Sequence, residues 1–263
     1  LPPDAARSEM NAEETPKDWR RAEVSGRIDW TDGLFTLKTS SPLAVFRAGQ
    51  YVELALDTRE GRLERPFSIA SAPGEPLEFL VVRVDGDGEL SPHLDDVSPG
   101  DSLWVGTKAQ GTFVLSRTGE GETLWMFATG SGIAPYVSML RTEEPWERFR
   151  NVVLVHGLRR RADAAYRDEL ERRVQERNGR LRVLRCVSRQ QPGPGDLAGR
   201  ATAALADGRL ARAAGAEFVP ERSHVLLCGN PAMVRDVTAL LDERGFRANG
   251  PDGGGHITTE LYW

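Results

Sequence analysis

The spacing of apolar runs changes once, near Ser116, and this break constrains the fold more than any other feature. From Trp19 to about Ser116 the runs are short and strand-like, as in Leu34–Leu37, Tyr51–Leu56 and Leu77–Val84. Turn signals punctuate them at Asp32-Gly33, Ala48-Gly49 and Pro99-Gly100-Asp101. Gly and Asp reverse a chain tightly, so this half predicts an antiparallel barrel or sandwich. Beyond Ser116, the runs Leu124–Ala128, Asn151–His156, Leu181–Val187 and Val225–Cys228 alternate with helical stretches. Two of those stretches are Asp163–Arg177, with Leu170 and Val174 on one face, and about Pro231–Glu243. Parallel strands need helical crossovers, so this half predicts a parallel α/β sheet with ligands outside the carboxyl ends of its strands. The expected division is a flexible polar arm over 1–17, a β domain over 18–116 and an α/β domain over 117–263.

Composition removes several function classes. The net charge of −5 gives no electrostatic case for nucleic acid. Two cysteines, Cys186 and Cys228, are too few for a disulfide scaffold or a four-thiolate cluster. The four histidines show no pair at metal-ligand spacing, so no metal is expected. Apolar runs such as Val152–Val155 are far too short to cross a bilayer. No basic segment followed by an apolar one opens the chain, so the expectation is a cytoplasmic monomer without membrane or nucleic-acid partners.

Five motifs fall at strand ends. Arg65-Pro66-Phe67-Ser68 offers a guanidinium fork for a diphosphate and a ring for an aromatic cofactor; alone it also reads as an edge strand with a surface Arg. Gly130-Ser131-Gly132-Ile133-Ala134-Pro135 joins a strand to a helix, where exposed amides and the helix dipole favour a phosphate. Cys228-Gly229-Asn230-Pro231 repeats that context; Cys228 is either a small buried hydrophobe or a thiol over the cleft. Arg159 follows the Val152 strand and Ser188-Arg189 the Leu181 strand; gathered on one rim with Arg200 they would suit a dianionic phosphate ester, such as a nucleotide 2′-phosphate, and the alternative is scattered surface arginine. Ile257–Trp263 ends on two aromatics, which need burial or a flat ligand.

Together these motifs resemble the bacterial ferredoxin–NADP reductases, in the short form that ends in Tyr-Trp. The markers are Arg65–Ser68, Leu90-Ser91-Pro92, Ala128–Pro135, Val187-Ser188-Arg189, Leu227–Pro231 and Glu260-Leu261-Tyr262-Trp263, in the family's order and spacing. The resemblance implies an FAD-binding antiparallel β-barrel followed by an NADP-binding parallel α/β sheet. It assigns Arg65, Pro66, Phe67 and Ser68 to FAD, together with Leu80, Val81, Val82, Arg83, Glu89, Leu90, Ser91 and Ser131. Tyr262 would cover the flavin ring and Trp263 would secure the adenine side. Thr129, Gly130, Arg159, Ser188, Arg189, Arg200, Asn230, Pro231 and Asp236 would bind NADP(H). Ser68, Cys228, Glu260 and Tyr262 would surround the reacting rings. Tyr262 would then move aside for the nicotinamide. Electrons would pass to ferredoxin or flavodoxin.

Two positions depart from the family. Phe67 stands where Tyr is usual, removing a hydroxyl worth about 0.5–1.5 kcal/mol, so FAD should be held less tightly. Leu261 stands where a polar residue is common, with no evident effect. Two other readings are an oxygenase or free-flavin reductase and a flavin-binding regulatory subunit. Oxygenase reductases and such subunits tend to bring cluster cysteines, which are missing here, and a free-flavin reductase has no need of a terminal aromatic cover.

Overall fold

The computed structural model describes residues 18–59, 61–86, 89–119, 121–250 and 253–261. In the first half β1 (Trp19–Thr31) turns through Asp32-Gly33 into β2 (Leu34–Pro42). Gly33 sits at φ 83°, a left-handed backbone that glycine adopts without penalty. Then come β3 (Tyr51–Thr58), β4 (Gly61–Ser68), β5 (Pro76–Val82), α1 (Ser91–Asp95) and β6 (Ser102–Gly106). They form one antiparallel six-stranded sheet in the order β4-β3-β6-β1-β2-β5. Its two edges meet where Ile69 bridges Phe79 and the Ala70 N–H bonds the Glu78 carbonyl at 2.8 Å, curling the sheet into a half-barrel. Phe35, Leu37, Leu54, Phe79, Val81 and Val105 fill its interior.

The second half contains β7 (Thr123–Thr129), α2 (Ala134–Leu140), α3 (Glu144–Arg148), β8 (Asn151–Leu158), α4 (Arg167–Glu176), β9 (Leu181–Val187) and β10 (Leu197–Ala198). After them come α5 (Ala201–Ala206), α6 (Arg209–Ala214), β11 (Ser223–Gly229), α7 (Pro231–Asp242) and β12 (Ile257–Leu261). The strands are parallel, in the order β10-β9-β8-β7-β11-β12. Strand order reverses between β7 and β11, which opens a crevice at their carboxyl tips. Among the described residues no helix is long and apolar enough to cross a membrane.

Two elements differ from the sequence reading. The helix expected from Asp163 begins at Arg167, because Tyr166 adopts a left-handed φ of 59° that ends the preceding turn. That turn sends the Tyr166 ring between the domains, 5.4 Å from the Trp30 ring, with its hydroxyl 3.2 Å from Thr36 Oγ1. Ile257–Leu261, within the segment that ends on two aromatics, is a full strand beside β11. The arm over 1–17 and the terminal Tyr262-Trp263 lie outside the described residues.

A buried ionic hub joins the halves. Arg141, just past α2, donates to Glu169 on α4 at 2.7 and 2.9 Å, to Glu78 on β5 at 3.2 Å and to the Ala70 carbonyl at 2.9 Å. Its side chain is only 12% exposed. The two carboxylates hold its guanidinium pKa above the ordinary value despite burial. Arg173 and Lys38 flank the carboxylates, and Ser138 donates to the Ser71 carbonyl at 2.6 Å. Removing one partner from such a cluster strands the other charges. Arg141→Met is expected to cost about 3–5 kcal/mol and to split unfolding into two transitions. Urea denaturation followed by barrel and sheet probes checks this; an unchanged single transition would contradict it.

Candidate functional site

The crevice is built from glycine contacts at two strand tips. Gly229 ends β11 at φ 130°, and any side chain there would lie 2.3 Å from Thr129 Oγ1. Its absence lets the Asn230 N–H donate to that hydroxyl at 2.8 Å, tying the tips of β7 and β11 together. Asn230 then caps α7, its side chain accepting from the Ala232 N–H at 2.9 Å. Gly132 packs against the Cys228 carbonyl, where a Cβ would sit at 2.5 Å. Gly130 differs: at φ 54° it faces open space, so its backbone is what a ligand can approach. His156, buried on β8, is hydrogen-bonded to the Gly130 backbone. Burial lowers the imidazole to about 4, so a neutral ring supports the turn near pH 7.

Strand register places the second group. Ala128, Cys228 and Glu260 occupy one row across β7, β11 and β12. The row faces the half-barrel, where Ser68 ends β4 and its hydroxyl donates to Glu260 Oε2 at 3.4 Å. A side chain on Gly111 would press on the Tyr51 ring at 3.0 Å and lie 3.5 Å from Glu260 Oε1. Burial raises the Glu260 carboxyl to about 7, opposed by the Ser68 hydroxyl. Cys228 is fully buried, and desolvation followed by the Glu260 charge pushes its thiol well up. It therefore stays protonated and acts as an apolar wall, not as a thiolate.

The third group is a basic rim on β8, β9 and β10. The Arg189 N–H bonds the Arg159 carbonyl at 2.9 Å, and the Gly199 N–H bonds the Val187 carbonyl at 2.8 Å. These bonds bring Arg159, Ser188, Arg189 and Arg200 onto one edge, all exposed. None of the three arginines makes an ion pair among the described residues. The Ser188 hydroxyl donates to the Leu158 carbonyl at 3.0 Å, so it must swing away before it can donate to an anion.

An oxidoreductase NAD-binding domain family matches residues 126–239, the stretch that carries the crevice and the basic rim. A flavodoxin/ferredoxin–NADP reductase of Shigella flexneri is 43% identical over 94% of this chain and 99% of its own length. The corresponding reductase of Escherichia coli is 42% identical with the same coverage. The chain belongs to the flavodoxin/ferredoxin–NADP reductase family. A ferredoxin NADP+ reductase from Neisseria gonorrhoeae, solved with bound FAD and NADP, superposes with a TM-score of 0.87 at 28% identity, covering 93% of this chain and 98% of that one. The protein is therefore an oxidoreductase of the reductase type.

Within the family frame, the residues expected to surround the flavin do not all present side chains to the cleft. Arg65, Pro66 and Phe67 lie on the edge strand β4, where a proline breaks no ladder that the sheet needs. Arg65 Nε approaches Glu89 at 3.9 Å, which joins β4 to the segment before α1. Glu89 thus sits against Arg65, and its carboxylate cannot itself favour a diphosphate. Val81 points into the barrel core, and Arg83 is engaged by Asp85 and Asp95, each at 2.9 Å. Leu80 and Val82 lie on the opposite side, toward the interdomain cluster. Leu90 is buried, and Ser91 accepts from the Val84 N–H at 2.9 Å. Ser131 lies in the Gly130–Ile133 turn, and Pro231 opens α7. Asp236 lies on the exposed face of α7 and makes no ion pair among the described residues. His156 and Gly111 were missed, because a single buried histidine and a loop glycine carry no periodic signal.

The raised Glu260 pKa has a defined sign. Folding favours the neutral carboxyl, so this contribution is complete below the ordinary value of 4.5 and is lost as pH rises through about 7. Glu260→Gln is neutral at every pH. Its melting temperature is expected to gain on the parent between pH 4.5 and 7 and to gain nothing further above that range. A pH-independent difference would show that the carboxyl titrates normally.

Proposed function

We propose that the protein exchanges electrons between NADP(H) and a ferredoxin or flavodoxin through FAD. The observation that carries this reading is the approach of Ser68, at the barrel edge, to Glu260, on β12 beside the switch point of the parallel sheet. Two flat groups, one held by each domain, would meet there. The residues present fit FAD: the Arg65 guanidinium stands on an edge strand beside the start of α1, whose first amides have no side-chain cap. They also fit NADP(H): Gly130 offers open backbone at a strand tip, and the three guanidiniums of the rim suit a 2′-phosphate. When bound, FAD supplies the step from a hydride to single electrons.

The chain's own residues do the rest. Burial raises the Glu260 carboxyl to about 7, so it can hold or release a proton at working pH while Oε2 accepts from the Ser68 hydroxyl. Cys228 excludes water from the floor of the crevice. The Thr129–Asn230 bond fixes the distance between the two tips. Both cysteines are buried and too few to ligate a cluster within this sequence. The choice of ferredoxin or flavodoxin draws support from the relatives' names. Action as a cytoplasmic monomer rests on the sequence alone.

The purified protein is expected to be yellow, to bleach with NADPH without oxygen, and to recover its colour on adding an oxidised ferredoxin or flavodoxin. Arg189→Ala should lower kcat/KM for NADPH by about tenfold to a hundredfold and leave NADH nearly unchanged, since a charged hydrogen bond contributes roughly 1.5–3 kcal/mol. Steady-state kinetics with both nucleotides checks this. Equal losses for the two would remove the phosphate assignment.

A further inference from the structure

We infer that Asp196, which would touch no ligand itself, is a positioning residue that sets the preference for a 2′-phosphate. The inference rests on the assignment of the basic rim to that phosphate. The rim is drawn from three separate segments: Arg159 after β8, Ser188-Arg189 after β9, and Arg200 after β10. Loops that carry charged side chains hold a shared geometry only if something ties them together, because each guanidinium repels the others.

Asp196 is placed to do this. Its side chain is fully buried, with 0% exposure. One carboxylate oxygen accepts from Arg185 Nε at 2.9 Å, and the other lies 2.9 Å from Arg161 Nε. The second oxygen also accepts from the Gly193 N–H at 3.2 Å, and the Asp196 N–H returns to the Gly193 carbonyl at 3.0 Å. Each partner lies close to one part of the rim. Arg161 is two residues past Arg159, Arg185 lies on β9 just before Ser188, and Asp196 itself precedes β10 and Arg200. A single carboxylate therefore clasps the three loops.

Gly193 completes the clasp. A Cβ at this position would lie 2.2 Å from Arg161 Cζ, so the guanidinium packs directly on the glycine backbone. The loop from Gln190 to Gly195 is rich in Gly and Pro and has no strand or helix of its own. Asp196 and Arg161 hold its far end and, with the Arg189–Arg159 backbone bond, fix the direction in which Arg189 leaves β9. Glu171 steadies the other side, accepting from Arg185 at 3.2 Å.

The sign of a mutation separates this role from simple charge. An acidic group near a phosphate site repels the phosphate, so its neutralisation should tighten binding. A clasp predicts the opposite. The test uses the holoenzyme and isothermal titration with two probes, adenosine 2′,5′-bisphosphate and 5′-AMP. Asp196→Asn keeps the shape and removes the charge that joins Arg161 to Arg185. Gly193→Ala leaves all charges in place but displaces Arg161 from the carboxylate. Both variants are expected to bind the 2′,5′-bisphosphate about tenfold more weakly, as for residues coupled in one ionic network, with 5′-AMP affinity unchanged. Tighter bisphosphate binding in Asp196→Asn, or parent-like binding in both variants, overturns the clasp while the phosphate assignment stands. A parent enzyme that binds the two probes equally overturns the assignment and the clasp together.

Discussion

The guanidinium of Arg141 is the contact on which the remaining geometry depends. It is buried between a carboxylate from the half-barrel, Glu78, and one from the parallel sheet, Glu169. Ion pairs at a surface add little, because water and salt screen them and the side chains lose entropy. This pair of bridges is desolvated, and its directions are fixed by three further partners: the Ala70 carbonyl, Arg173 and Lys38. Such a cluster gives orientation more than it gives net stability. Arg141 closes α2, and α2 begins at the turn formed by Gly130–Ile133. The angle between the domains is thereby transmitted to the strand tips through one short helix, and Ser68 and Glu260 come within reach of each other.

Much of the fold was legible in the sequence because its two halves obey different periods. Turn residues at Asp32-Gly33 and Pro99-Gly100 announced antiparallel pairing, and the apolar runs near Leu124, Val152, Leu181 and Val225 announced a parallel sheet. What escaped was short or long-range. Helices α5 and α6 span six residues each, too few for an apolar stripe to recur. Strand β12 does not read as a strand from the sequence, since Thr258, Thr259 and Glu260 give no apolar run and their partner β11 lies far off in sequence. The late start of α4 follows from Tyr166 entering the interface, a tertiary demand that no local pattern records.

The site was legible in part for the same reason. Gly130, Thr129, Arg159, Arg189 and Arg200 sit at strand ends, and strand ends can be read from hydrophobic runs. The direction of each side chain could not be read. Alternation along β5 turned Val81 inward, and Arg83 was claimed by Asp85 and Asp95. Cys228, open as thiol or hydrophobe in the sequence, is fully buried, and that burial raises its thiol pKa. The ionisation of Glu260 was equally hidden, since a carboxyl rises toward 7 only when a second domain covers it.

The Arg141 hub holds the half-barrel edge at Ser68 against the parallel sheet at Glu260, so that ring groups held by separate domains would be placed to react. Single-turnover reduction of the enzyme's flavin by saturating NADPH, without oxygen, tests it in Arg141→Lys, which keeps the charge and loses the planar fork. A displacement near 1 Å between reacting groups can cost about a hundredfold in rate, so the variant should retain its flavin and its nucleotide affinity while reduction slows by at least about tenfold. A parent-like rate in a variant that retains both would show that the domain angle is set elsewhere.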